Sequence, residues 1–176
     1  MIVGNTVRPN RIEMFLRFVL ALIMLITLFT AVQSADAAAA TQIAGIGTFD
    51  ELVVCTENIT NSQGANPDFA LVLEGDLEGC LYTFVQTAVC TPGGAYIETG
   101  EEMFVANGDG STFSTTYRFE AKFNDCNDFS GQINGRCQHP IVDGSGTGSF
   151  EGVTGRLDFR DDLVNDVAVY RGQLKF

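Results

Sequence analysis

Two short segments of the chain carry side chains that could move a proton at neutral pH. The first is QINGRCQHP, which contains His139, the only histidine of the chain. Alternate residues of this segment (Ile133, Gly135, Cys137 and His139) share the less polar face of a predicted strand. We therefore expect His139 to face the apolar side, where an imidazole can act as a general acid or base. The alternative is a strand-end histidine that hydrogen-bonds to the backbone and is held by Pro140.

The second segment is YIETGEEMFV, which places three carboxylates close together. Neither of its two strand faces is purely apolar. At least one of Glu98, Glu101 and Glu102 is therefore expected to face the interior, and Glu101 is the first candidate for a catalytic carboxylate. A carboxylate surrounded by apolar side chains can hold and transfer protons. The alternative is that the three acids form a solvated patch.

Other catalytic and ligand-binding motifs are missing from the sequence. It contains no H-E-x-x-H, Walker A or dinucleotide-binding pattern. A single histidine leaves little scope for a nucleophilic triad. The acidic loop from Asp125 to Gly131 lacks the spacing and the closing glutamate of an EF-hand. We predict no cofactor and no metal site.

Strands must position these side chains, because the chain from Gln42 onward alternates with a period of two. The clearest case is Phe113 to Phe123, where aromatic and small residues occupy odd positions and Arg118, Glu120 and Lys122 occupy even ones. Short turns rich in Gly, Asn and Asp separate the segments. The predicted strands are 42–48, 51–57, 69–78, 80–89, 95–105, 112–124, 132–142, 147–151, 156–161 and 167–175.

Short connections favour antiparallel pairing of successive strands, and closure into a barrel removes exposed sheet edges. The sequence therefore predicts an all-β fold. It consists of a single antiparallel, mostly up-and-down β-barrel of about eight strands, of calycin-like or allene oxide cyclase-like shape.

The N-terminal region has the pattern of a secretory leader. Basic residues precede an apolar run from Phe18 to Phe29, and small residues follow it. A membrane anchor needs about 20 apolar residues, which this run does not reach. We predict a signal peptide over residues 1–37, with cleavage after Ser34 or Ala37, and a single barrel domain over residues 38–176. The protein is then secreted, extracellular or periplasmic, and not embedded in a membrane after cleavage.

The charge of the chain narrows the class of partner. Its formal net charge is −12. Nucleic acid and anionic lipid carry the same sign and are repelled. We therefore expect no nucleic-acid partner, while the oligomeric state stays open.

All five cysteines follow the leader, and exported cysteines usually pair. Cys80 and Cys90 sit at opposite ends of one predicted strand, roughly 33 Å apart at about 3.3 Å per residue. A disulfide requires Cα atoms within about 7 Å, so these two cannot bond to each other. An up-and-down order brings Cys90 and Cys126 to the same barrel end, which predicts a bridge between them. The cysteine left over is either buried and inert or forms an intermolecular bridge.

The C-terminal part of the chain resembles a known family. The run GTGSFEGVTGRLDF from Gly146, followed by YRGQL from Tyr170, is similar to that of the allene oxide cyclase-like barrel proteins, which are related in shape to plant dirigent proteins. In that group the glycine-rich run forms a late hairpin and the last strand closes the barrel. The resemblance implies the fold. The plant enzymes hold an unsaturated fatty-acid epoxide in the lumen and use a lumen carboxylate, but their catalytic positions have no match here.

These features give three expectations for function. The first is non-covalent binding of a small hydrophobic molecule in the lumen, since small barrels can hold one ligand. Its candidate contacts are Tyr82, Tyr96, Tyr117 and Phe119. The second is a cyclase or isomerase that uses Glu101 and His139. The third is a structural or surface protein whose lumen is filled by side chains, which 14 phenylalanines make credible.

Overall fold

Eight antiparallel strands form a closed barrel in a computed structural model that describes residues 39–176. Each strand pairs with its neighbours in sequence, and the last pairs with the first, as in an up-and-down barrel. The predicted fold class is therefore confirmed, whereas the predicted signal peptide lies outside the described residues. The strands are β1 (Thr41–Asp50), β2 (Phe69–Gly75), β3 (Gly79–Cys90), β4 (Ala95–Ala106), β5 (Thr112–Asp125), β6 (Ser130–Pro140), β7 (Thr154–Asp162) and β8 (Val167–Lys175).

The alternation of each strand decides what faces the interior. In β5, odd-numbered positions such as Phe113 and Tyr117 are buried, whereas the even positions Thr116 and Arg118 are exposed. In β6 the alternation holds from Gly135 onward. A register shift between β5 and β6 turns Ile133 outward, although the sequence pattern placed it on the inner face.

One end of the barrel is filled by side chains. Phe104 and Phe113 are fully buried there, together with aliphatic residues from β2, β3, β7 and β8. The predicted strand at 147–151 is wrong, because Gly148–Phe150 forms a single turn of 3₁₀ helix across this end. It carries the Phe150 ring onto Phe104 and Phe113, with ring centroids 5.7 Å and 5.1 Å apart. Edge-to-face packing of this kind closes the barrel floor.

The predicted strand at 51–57 is also wrong. The Asp50 carboxylate accepts hydrogen bonds from the backbone N–H groups of Val53, Val54 and Cys55, which folds the chain back on itself after β1. Burial opposes ionisation of this carboxyl, but those backbone donors outweigh it and lower the pKa of Asp50. The backbone donors of this segment are thereby used locally and form no ladder.

Two disulfides crosslink the barrel. Cys55–Cys80 fixes the segment after β1 to the outer face of β3. Cys90–Cys126 joins the end of β3 to the loop after β5, with Cα atoms 5.7 Å apart, as predicted from the strand order. Cys137 is the free cysteine of the described region and is buried, as expected for an inert thiol. No helix within residues 39–176 is long and apolar enough to cross a bilayer.

Candidate functional site

A cavity of about 560 Å³ occupies the barrel end opposite the floor. Aromatic rings line much of it, among them Tyr96, Tyr117, Phe119 and Phe159. The cavity opens between the loops that follow β5 and β7, because Phe129 and Leu163 belong to its lining and are exposed. Its volume falls within the range of small-molecule sites in proteins.

Glu102 lies in the wall of this cavity, on the inner face of β4. Thr83 on β3 and Thr115 on β5 are its direct cross-strand partners. The register therefore places a hydroxyl on each side of the carboxylate, and both donate to it, over 3.2 Å from Thr83 and 2.7 Å from Thr115. Only 3 % of Glu102 is exposed. A carboxylate so deeply buried needs these donors to remain satisfied.

His139 on β6 completes the surroundings of Glu102. Its Nδ1 lies 2.5 Å from Glu102 Oε2. The ring is 2 % exposed and lies between Tyr117 and Phe159, with ring centroids at 6.1 Å and 4.6 Å. The other ring nitrogen, Nε2, is buried without a hydrogen-bond partner among the described residues. A carboxylate on Nδ1 that leaves Nε2 available is the arrangement that orients an imidazole for proton transfer or ligand binding.

Glu98 forms a second polar group nearer the mouth. It lies on the same inner face of β4 as Glu102, two residues before Gly100. The hydroxyls of Tyr96 and Tyr117 both donate to its carboxylate, over 2.5 Å and 2.8 Å. Burial first, and then the hydrogen bond to Glu98, raise the pKa of both tyrosines. Their hydroxyls thus stay protonated and committed to Glu98.

Glu101, the first candidate from the sequence, does not face the lumen. It lies on the outer face of β4, where its carboxylate is 3.5 Å from the Ser62 hydroxyl. The inner face instead carries Glu98 and Glu102. Gly100 lies between them and leaves room for the Tyr117 ring, because a Cβ there would lie 2.7 Å from that ring. The expected inward carboxylate therefore exists, but at the neighbouring positions.

Tyr82 is also outside the lumen. It lies on the outer face of β3 in a second apolar cluster with Ala70, Cys80 and Phe84, which the segment after β1 covers. Its hydroxyl accepts a hydrogen bond from the Glu57 backbone N–H at 3.1 Å. The other predicted contact residues do line the cavity, as does His139.

Two residues on the inner face of β7, Phe159 and Asp161, were missed from the sequence. Asp161 follows Phe159 on the inner face of β7 and lines the cavity, with Gln132 donating to its carboxylate. Burial raises the pKa of Asp161. Gly135 makes room for it, since a Cβ at that position would collide with the carboxylate. The alternation from Leu157 through Phe159 was the available sequence clue to both Phe159 and Asp161.

The Cys137 thiol lies in the cavity wall but is poorly suited to nucleophilic chemistry. Burial raises its pKa well above the ordinary range, and the charges of Glu102 and Glu98 raise it further. The thiolate is the nucleophilic form, and this environment opposes it.

Comparisons with family models, curated proteins and solved structures returned no match to this chain. The geometry of the lumen is therefore the basis for assigning a function.

Proposed function

We propose that this protein binds one small, mainly apolar molecule in the open half of its barrel. The observation that carries the proposal is His139 Nε2, a buried polar atom on the cavity wall with no partner in the described chain. Leaving such an atom unpaired costs about 1–3 kcal/mol, and a ligand group that bonds to it recovers that cost.

The shape of the lumen supports binding over a purely structural role. A barrel filled by its own side chains would have no room beside His139, whereas about 560 Å³ is open next to it. Phe104, Phe113 and Phe150 fill the opposite end of the barrel and leave this cavity open. Aromatic walls with a few polar groups are typical of small-molecule sites.

A tryptophan reporter tests the proposal, since the chain contains no tryptophan. Phe129→Trp places one at the cavity mouth, and Phe176→Trp places a matched control beyond β8 at the other end. Both phenylalanines are 57 % exposed, so neither change disturbs a buried core. We expect an apolar ligand to shift the emission of the Phe129→Trp protein alone. Equal responses from both proteins, with no ligand mass in native mass spectrometry, would refute binding in the lumen.

We also propose a second candidate function, an isomerase or cyclase that uses His139 as its proton-transfer residue. The specific observation is the Glu102–His139 pair, whose geometry orients Nε2 for use as a general base. His139 would take a proton from one atom of the substrate and return it at another, so no oxidant or reductant is needed. Glu102 would act as a positioning residue. Turnover of a bound compound that His139→Gln abolishes, with a loss of kcat far larger than the change in affinity, would distinguish this function from binding alone.

We propose further that the protein works outside the cytosol and is related to the allene oxide cyclase-like and dirigent-like barrels. Two disulfides support the first point, because thiols in the cytosol are kept reduced. The second rests on the glycine-rich run from Gly146 and on YRGQL from Tyr170, since the pairing of β7 with β8 and of β8 with β1 is common to closed up-and-down barrels. A shared barrel shape carries no activity with it. Fractionation of the native host, with N-terminal sequencing of the exported protein, tests the location and the cleavage site together.

A further inference from the structure

The charges around the cavity are of one sign. Five carboxylates line it, from Glu98, Glu102, Asp161, Asp162 and Asp166. None of the lining residues in the described chain is a lysine or arginine, and His139 is the only basic one. A ligand with an anionic head would therefore enter a field of like charge without a compensating cation.

The hydrogen-bond donors of the wall are already in use. Thr83 and Thr115 donate to Glu102, and His139 Nδ1 is hydrogen-bonded to the same carboxylate. Near the mouth, the hydroxyls of two tyrosines donate to Glu98. A ligand therefore meets carboxylate oxygens with spare lone pairs but few free donors.

His139 adds a further polar group without a partner. Nδ1 faces the Glu102 carboxylate, and in a neutral ring paired with an ionised carboxylate it is the nitrogen that carries the hydrogen, because such a carboxylate can only accept. In the neutral ring the opposite nitrogen, Nε2, is then a lone-pair acceptor, and it is this atom that has no partner. Nε2 is independent evidence for a ligand, because a buried ring nitrogen without a partner calls for a hydrogen-bonding group from outside the chain.

The aromatic part of the wall suits the same kind of group. Tyr96 lies against Phe119 and Phe129, with ring centroids 6.2 Å and 5.2 Å from its own. Rings beside a carboxylate such as Glu98 attract a cation through their negative faces and stabilise it by cation–π contacts. An organic ammonium would thus find both opposite charge and aromatic faces at the mouth.

We propose that the ligand of this lumen carries a positively charged, hydrogen-bond-donating amine on an apolar body. This inference rests on the proposed binding function and specifies its ligand class. It also distinguishes the lumen from one built to hold a fatty acid, whose carboxylate would require a lysine, an arginine or free donors.

Four probes that share one apolar chain test the proposal: decylamine, decyltrimethylammonium, decanol and decanoate. Each is titrated into the disulfide-intact protein by calorimetry and by native mass spectrometry. We expect decylamine to bind at least about tenfold more tightly than decanoate, which corresponds to a modest charge interaction at a partly buried site. Decanol should lie between them. Decyltrimethylammonium keeps the charge but has no N–H group. The difference between its affinity and that of decylamine therefore measures how much the N–H hydrogen bonds contribute to binding.

Two variants connect the preference to the lumen. Glu98→Gln removes one charge from the wall, and Asp166→Asn removes one at the rim. Asp166 is exposed with φ of 56°, a conformation that asparagine tolerates well, so this variant should fold even if Glu98→Gln does not. Each should lower the preference for decylamine over decanol at least about threefold. Glu74→Gln is the matched control, because it removes the same charge from an exposed position outside the cavity lining.

The outcomes separate the two proposals. Binding of decanoate as tight as that of decylamine would overturn the ligand class and leave the binding function standing. An unchanged preference in both lumen variants would also overturn it. If no decyl compound binds at all, the binding function itself fails.

Discussion

The buried pair of Glu102 and His139 should be strongly coupled in stability. Glu102→Leu removes the carboxylate and leaves three donors, including His139 Nδ1, without their acceptor. His139→Phe leaves the carboxylate, 3 % exposed, with only the two threonine hydroxyls. Breaking a buried pair from one side is costly because the remaining partner stays desolvated.

The structure sets the expected size of these losses. His139→Phe should cost about 3–5 kcal/mol, the usual range for an uncompensated buried charge. Glu102→Leu should cost a similar amount, because each buried hydrogen-bonding group that it leaves unpaired costs about 1–3 kcal/mol. The double variant, with two apolar side chains in place of the pair, should lose at least about 2 kcal/mol less than the sum of the two single losses. Glu102→Gln should cost less than Glu102→Leu, because the amide oxygen can still accept from Thr115.

Urea unfolding of the oxidised protein measures all four variants. For a slope of about 2 kcal/mol per M, a 3–5 kcal/mol loss moves the midpoint by about 1.5–2.5 M. The exposed pair of Arg156 and Asp158, at 2.8 Å, provides the control, and its removal should cost less than about 1 kcal/mol. Single losses that add to the double loss within about 0.5 kcal/mol would refute the coupling on which the candidate site depends.

Three further predictions concern the thiol, the barrel floor and the mouth. Burial raises the pKa of Cys137 in the folded protein. The protonated thiol therefore makes its full contribution to folding stability below about pH 8.5, the pKa of an exposed thiol, and this contribution declines as the pH rises above that value. Cys137→Ala should therefore flatten the fall in urea midpoint between about pH 8.5 and pH 10, and an unchanged slope would contradict this. Tyr170→Phe should cost about 1–3 kcal/mol, because the buried hydroxyl accepts from the Leu77 N–H at 2.8 Å, and a loss under about 0.5 kcal/mol would show that this N–H finds another partner. Replacing Cys90 and Cys126 by alanine should lower the free energy of unfolding by about 4 kcal/mol, as expected for a bridge of sequence separation 36. The same change should weaken ligand binding at the mouth. Equal affinity would show that the loops hold their positions without the disulfide.

The alternating pattern of the strands predicted most of the fold. Alternation in β5, short turns and the positions of Cys90 and Cys126 were local properties, and they predicted a closed antiparallel barrel and one of its disulfides. The same alternation placed His139 and Cys137 on the inner face. These predictions succeeded because a strand with one buried face has a strict period of two, so a single apolar face determines the orientation of the whole strand.

The two misplaced site residues, Glu101 and Tyr82, share one physical cause, which is that alternation separates two faces without saying which is inside. Both faces of β4 carry acids, so Glu101 could not be distinguished from Glu98 and Glu102. Both faces of β3 are apolar, because the segment after β1 covers the outer one, and this misplaced Tyr82.

By itself, the sequence determined that the chain forms alternating strands with an inner face rich in aromatic residues and one histidine among them. Only the tertiary structure decided which acid meets that histidine. Glu102 and His139 lie 37 residues apart in sequence, and their contact depends on how β4, β5 and β6 are registered. The cavity that His139 lines likewise depends on the path of the chain after Gly148, because Phe150 packs into the opposite end of the barrel and leaves the mouth open.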